Sequence, residues 1–384
     1  MNLPNLTALD DALKLRALWA MAIALAALAL AQTWTLVTFQ PLGADFLPLW
    51  TAGHMAWTDP GHIYDFVAVT RAQAWLVPQF HCLRPYAYPP TALLVLAPLG
   101  AMPFWPALAV WTALSFTPFV AAGARLAVGR TGLALLLLIL SPAVVLGALA
   151  GQTAMLVAGL ATLAVIELDG RPRLAGVLLA LVAVLKPQAV LLAPVALVAS
   201  GAFEALASAA LAAGALLAAS IVGFGFARWP EWLASLRSFQ MVVESTPNLM
   251  RGVITPYGVA HDLGLPDPAA AVCRGAFALV GLLLVWRVFA RTSDPATRLA
   301  ALGAGSLMAA PYAMSYDGTL LAAPAVALAL RLDGPGWLRR MLALCAICEV
   351  TFPDLGLAAV AGFAVLSCWD LRRPVLAAQP VFAD

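Results

Sequence analysis

Residues 17–39 carry no charged side chain, and a run of about 23 mostly apolar residues is long enough to cross a bilayer core as a helix. Inside hydrocarbon every backbone N–H and C=O must find its partner within the protein, so such a run is held to helical structure. Further apolar runs follow at 89–124, 131–149, 153–167, 174–185, 188–201 and 205–226, then at 269–290, 299–310, 318–332, 338–350 and 355–371. The composition agrees: 63% of the residues are hydrophobic and 10% charged, where soluble domains carry roughly a quarter charged residues. The expected fold class is all-α, a polytopic membrane helix bundle with about 10–13 transmembrane segments. The whole chain, 1–384, reads as one integral membrane domain.

A net charge of +2 gives no basis for nucleic-acid binding, and the basic residues stand as pairs between apolar runs. They read as topology signals. Lys14 and Arg16 ahead of the first run predict a cytoplasmic N-terminus and an outer position for residues 40–88. Ala29-Leu30-Ala31 resembles a signal-peptidase site. The length of the run, with Asp10 and Asp11 ahead of it, points instead to an uncleaved first helix.

Two long polar interruptions, 40–88 and 227–268, divide the apolar material. In the first, Trp50, Trp57, Phe66 and Trp75 alternate with polar residues as in interfacial helices, and Asp59-Pro60-Gly61 marks a turn between them. If both loops are outer, an even number of passes separates them, yet seven apolar segments lie in between when 89–124 is two short helices meeting at Gly100 to Pro106. Counting 89–124 as one net crossing meets the requirement; the alternative fuses 174–201 through Lys186-Pro187 into one kinked helix. Cys345 and Cys348 lie inside an apolar run and read as packing.

Against this background a few polar residues stand out at the ends of apolar runs: Asp45, Tyr88-Pro89-Pro90, Gly151-Gln152, Lys186-Pro187 and the passage from Tyr312 to Asp317. Asp45 lies a few residues past the first membrane run, at head-group depth, where it is either a solvated loop carboxylate or a catalytic base. Lys186 stands in an apolar stretch, where a charge costs from about 2.5 kcal/mol upward at a bilayer centre; it either serves a partner or snorkels to the interface.

The ordered set Asp45-Phe46, Ala52-Gly53, Gly61-x-x-Tyr64-Asp65, Tyr88-Pro89-Pro90 with Pro98-Leu99, Trp111, Gly151-Gln152, Arg171-Pro172 with Ala175-Gly176, and Lys186-Pro187 resembles glycosyltransferase family 87. These are polyprenol-phosphate-mannose-dependent mannosyltransferases of the GT-C fold. The resemblance covers roughly residues 40–325. It implies a hexosyltransferase of the cell membrane with its active site on the periplasmic or extracellular side. The donor would be a polyprenyl-phosphate-linked sugar and the acceptor a lipid or glycan hydroxyl, with inversion at the anomeric centre. The position matching the family's essential carboxylate is Asp45. Where family members carry a histidine pair after a turn, this chain has Ser315-Tyr316-Asp317 following Pro311, so no histidine role carries over.

A sugar hydroxyl needs a carboxylate to take its proton as the new bond forms, and a departing lipid phosphate needs fixed cations or N–H donors. The expected phosphate and sugar contacts are Lys186, Gln152, Arg84, Arg251 and Tyr88. Tyr316, Asp317 and Asp65 are possible acceptor or sugar contacts, Asp65 being equally a helix cap. His54, His62, His81 and His261 lack metal-ligand spacing, so neither a metal nor another cofactor is expected. The competing class is a transporter or flippase, for which Lys186 would be a mid-membrane polar site.

Overall fold

The computed structural model describes residues 6–39, 41–79, 84–127, 129–246, 250–332, 336–352 and 355–368. Among them the structure is helical. In chain order the helices are α1 Leu6–Phe39, α2 Phe46–Thr58, α3 Phe66–Leu76, α4 Leu93–Gly100, α5 Phe104–Leu126, α6 Thr131–Ile139, α7 Pro142–Ala150, α8 Ala154–Glu167 and α9 Pro172–Leu185. There follow α10 Ala193–Ala199, α11 Phe203–Phe224, α12 Arg228–Glu244, α13 Pro256–Asp262, α14 Asp267–Phe289, α15 Pro295–Ala309, α16 Thr319–Ala329, α17 Trp337–Cys348 and α18 Gly356–Cys368. Short 3-10 turns cover Pro60–His62, Pro90–Ala92, Pro187–Val190 and Ser315–Gly318.

Four helices are long and apolar enough to cross a membrane alone: Asp11–Phe39 within α1, and α5, α11 and α14. A fifth crossing is divided, α6 and α7 meeting at 61° where Ser141-Pro142 breaks the ladder. The shorter apolar helices, α8, α9, α18 and the Pro187–Ala199 segment among them, fill the interior. Such short pieces are tolerated at membrane depth where protein surrounds them. α15 and α16 are buried along most of their length, whereas α1 exposes Ile23, Leu30 and Trp34 and α14 exposes Val272, Leu279 and Leu283, side chains suited to lipid. Gly281 and Gly305 let α14 and α15 touch backbone to backbone, a Cβ on Gly281 falling 2.7 Å from the Gly305 carbonyl oxygen.

The bundle has two unlike ends. At one, Arg125 pairs with Glu167 at 2.6 Å, Arg298 with Asp169 at 2.8 Å, and Arg173 with Glu204. Lys14 there donates to the Leu332 carbonyl at 2.7 Å. The other end carries Asp45, Tyr88, Gln152, Lys186 and Asp317. Between the two long loops the chain runs through α5, the bent α6–α7 pair, α8, α9, the Pro187–Ala199 segment and α11, and the second loop meets the first where Trp232 donates to the Ala87 carbonyl. The chain therefore returns to the same end for its second loop. The 89–124 run divides into α4, which stays at the site end, and α5, which makes the pass.

α2 is buried from Phe46 through Gly53, with α4 and α5 against its apolar face. Trp50 Nε1 donates to the Met102 carbonyl at 3.0 Å and Trp57 Nε1 to the Ala97 carbonyl at 2.7 Å. Trp50 is buried, whereas Trp57 leaves most of its ring exposed. α3 leaves Val67 and Trp75 exposed.

Candidate active site

Asp45 sits at the turn into α2, 7% exposed. Its backbone N–H donates to the Ala150 carbonyl at 2.9 Å, and the N–H of Gly43 donates to Leu149 at 2.9 Å, which pins this turn to the last residues of α7. α7 ends at Gly151 in the left-handed region, φ 72°, a helix ending that suits glycine. A Cβ there would lie 2.7 Å from the Cβ of Phe46. The Gly151 carbonyl accepts from Trp111 Nε1 at 2.9 Å, so a buried indole of α5 fixes the corner that presents Gln152.

Gln152 Nε2 donates to Asp45 Oδ2 at 2.7 Å, and Gln152 Oε1 accepts from the Tyr88 hydroxyl at 3.2 Å. That hydroxyl also lies 3.1 Å from Thr153 Oγ1. Arg84 forms an ion pair with Asp45 Oδ1. Burial lowers the Arg84 pKa from its ordinary value, but a guanidinium starts so high that it stays charged. One carboxylate oxygen thus meets a cation and the other an amide N–H.

Pro89 is extended, φ −64° and ψ 157°, and Pro90 opens the 3-10 turn that leads into α4. Thr91 Oγ1 donates to the Val184 carbonyl at 2.6 Å, tying this corner to the last turn of α9. α9 stops there because Pro187 has no N–H and keeps Lys186 out of the helical region, at φ −149° and ψ 76°. Lys186, 4% exposed, pairs with Asp317 Oδ1, and its ammonium lies 5.0 Å from the centre of the Tyr316 ring. Asp317 Oδ2 accepts the Met314 N–H at 3.0 Å. Lys186 therefore has a partner at the loop-bearing end, which removes the observation that favoured a transport pathway.

Tyrosines join the two ion pairs. Arg84 lies close enough to Tyr316 and Tyr312 to feel both, the Tyr86 and Tyr88 rings stack at 5.9 Å, and the Tyr64 hydroxyl donates to the Tyr88 carbonyl at 3.0 Å. Burial raises the Tyr64 pKa, so that phenol stays neutral. The second loop roofs this end: Ile254 N–H donates to the Ala313 carbonyl at 3.0 Å and Ser315 N–H to Gly252 at 2.8 Å, while Trp232 of α12 donates to the Ala87 carbonyl at 3.1 Å.

Asp45, Arg84, Tyr88 and Gln152 form one hydrogen-bonded group, and Lys186, Tyr316 and Asp317 a second. Arg251 is exposed, one residue before the Gly252 that pairs with Ser315. Asp65 is also exposed and caps α3, accepting from the N–H groups of Val67 and Ala68 at 2.9 and 3.0 Å. His54 Nδ1 lies 3.1 Å from the Gly100 carbonyl and His62 Nδ1 2.7 Å from Asp59; His81 and Cys82 lie outside the described residues. Sequence reasoning missed Gln73 and Thr153. Gln73 is buried at the inward position four residues after buried Val69, and an amide on the apolar face of a helix was the signal that could have found it.

The bundle, with four helices long and apolar enough to cross a membrane, gathers carboxylates, cations and tyrosines at one roofed end. The chain belongs to glycosyltransferase family 87, whose model matches residues 86–311, more than half of its length. No curated protein and no solved structure matches it. It is a multi-pass membrane glycosyltransferase. Tyr88, Gln152, Lys186 and Arg251 fall inside the matched stretch, and Asp45, Asp65, Arg84, Tyr316 and Asp317 outside it.

Proposed function

We propose that the protein transfers a hexose from a polyprenyl-phosphate donor to a lipid or glycan hydroxyl on the outer face of the cell membrane, with Asp45 as general base. The observation that carries this reading is the buried Asp45 carboxylate held between Gln152 and Arg84. A base for a hydroxyl must be ionised, fixed and shielded from water, and these partners supply the first two while burial supplies the third.

In the reaction, Asp45 takes the acceptor's hydroxyl proton as that oxygen bonds to the anomeric carbon. The bond from that carbon to the phosphate oxygen breaks, its electron pair leaves on the polyprenyl phosphate, and the configuration inverts. Arg84 pairs with the base, Lys186 with Asp317, and Arg251 stands at the roof; these cations would offset the charge growing on the leaving phosphate. Tyr316, Asp317 and Gln152 offer the polar contacts a sugar ring needs. The loop-bearing end lies outside because the basic end follows the positive-inside rule.

The test offers purified protein in lipid a panel of polyprenyl-phosphate sugars with a mixed acceptor extract. Consumption of one donor, with release of polyprenyl phosphate and appearance of an inverted glycoside, is expected. Transfer only from a nucleotide sugar would overturn the donor assignment.

A further inference from the structure

Arg84 reaches Asp45 from a stretch of chain without regular structure, so something must set its backbone. That partner is Gln73. Its Nε2 donates to the Arg84 carbonyl at 2.6 Å and its Oε1 accepts the Arg84 N–H at 3.0 Å. The carboxamide makes, with one residue, the paired bonds that a neighbouring strand would make. Gln73 is 0% exposed and sits on α3, whose start is fixed by the Asp65 cap.

The residue type follows from the geometry. Only a planar amide presents one donor and one acceptor side by side. Asparagine is one methylene shorter, and an ionised glutamate offers no donor to the Arg84 carbonyl. An apolar residue would take both of these partners from the part-buried Arg84 N–H and C=O.

We infer that Gln73 is the positioning residue for Arg84: by clamping the Arg84 backbone it delivers the guanidinium to Asp45, and the transfer reaction depends on it through that contact. This rests on the reading of Asp45 and Arg84 as reaction machinery. A small misplacement of a charged group beside a catalytic carboxylate is enough to cost an order of magnitude or more in rate.

The experiment compares wild type, Gln73→Met, Arg84→Gln and the double variant with whichever polyprenyl-phosphate sugar the wild type consumes. Gln73→Met keeps the side-chain volume and removes both bonds; Gln73→Leu, which likewise carries neither donor nor acceptor, is read in the same way should the Met variant fail to fold. Gln73→Met is expected to lower kcat about 10-fold or more with a smaller change in KM, to match Arg84→Gln, and to add nothing in the Arg84→Gln background. A merely structural role would add its effect in that background. Full kcat in Gln73→Met beside an impaired Arg84→Gln overturns the positioning role and leaves the site reading intact; full kcat in both overturns the two together. If wild type consumes no donor, the site reading has failed and the clamp is read from thermal midpoints. There, losses from Gln73→Met and Arg84→Gln that fall short of additive support the clamp, and additive losses overturn it.

Discussion

Gln152 Nε2 donates a 2.7 Å hydrogen bond to Asp45 Oδ2 across 107 residues of sequence. This bond ties the turn after the first membrane helix to the end of the bent α6–α7 pair, and Tyr88, on a third segment, donates to the same glutamine at 3.2 Å. Three separate stretches are therefore linked through one glutamine side chain.

Gln152→Leu removes the donor to Asp45 and the acceptor for Tyr88 together. A hydrogen bond to a charged group contributes about 1.5–3 kcal/mol, so kcat is expected to fall about 10- to 100-fold. Gln152→Glu places a second carboxylate against Asp45 and is expected to be at least as damaging, in steady-state kinetics beside the Leu variant.

Lys186 and Asp317 are a buried pair, 4% and 6% exposed. Removing one partner of such a pair leaves an uncompensated charge and costs about 3–5 kcal/mol. Lys186→Met is expected to lower the thermal midpoint in detergent strongly. Adding Asp317→Asn to it should recover part of that loss, because the unpaired carboxylate is then gone.

Gly53 and Gly100 mark the point where α2 and α4 meet backbone to backbone: a Cβ on Gly100 would lie 2.1 Å from the His54 nitrogen, and one on Gly53 2.1 Å from the Leu96 carbonyl oxygen. Neither neighbour is a side chain that can swing away. Gly100→Ala is expected to destabilise by about 1–3 kcal/mol or more and to weaken activity, since α2 begins at Asp45. Thermal unfolding beside the transfer assay reads both effects.

At the basic end, Asp294 caps α15 through the Thr297 N–H at 2.9 Å and receives both terminal nitrogens of Arg331 at 3.1 and 2.5 Å. Burial alone would push its carboxyl up, but the Arg331 and Thr297 hydrogen bonds outweigh that and hold it below the ordinary value of 3.8. A depressed carboxylate contributes stability that is present above the unfolded-state value and lost as pH falls through the lower folded-state value. Asp294→Asn should therefore lower the thermal midpoint at neutral pH, and the gap to wild type should close below about pH 4.

The helical runs were legible because lipid imposes apolar stretches of fixed length, and the ends of α8, α9, α14 and α18 fall within a few residues of the runs read from hydropathy. Asp45, Gln152 and Lys186 were legible for the same reason, each interrupting an apolar background. What the background could not encode is pairing. Lys186 finds Asp317 131 residues away, and no local pattern links them. The bend at Ser141-Pro142 lay hidden inside a run apolar on both sides. α2 carries tryptophans spaced as in an interfacial helix, and only the glycine contacts with α4 show that its apolar face is covered by protein. Gln73 escaped because its partner is a backbone, which leaves no mark in the sequence.

The central claim is that Asp45 takes the acceptor proton, and the most direct measurement is transfer from the preferred polyprenyl-phosphate sugar by Asp45→Asn beside wild type, both matched for thermal midpoint. Asparagine keeps the shape and can still meet Gln152, but it cannot accept the proton. General-base catalysis contributes about 10²–10⁴ in rate, so the account predicts a loss of kcat in that range with donor binding retained. Wild-type kcat in a folded Asp45→Asn would contradict it.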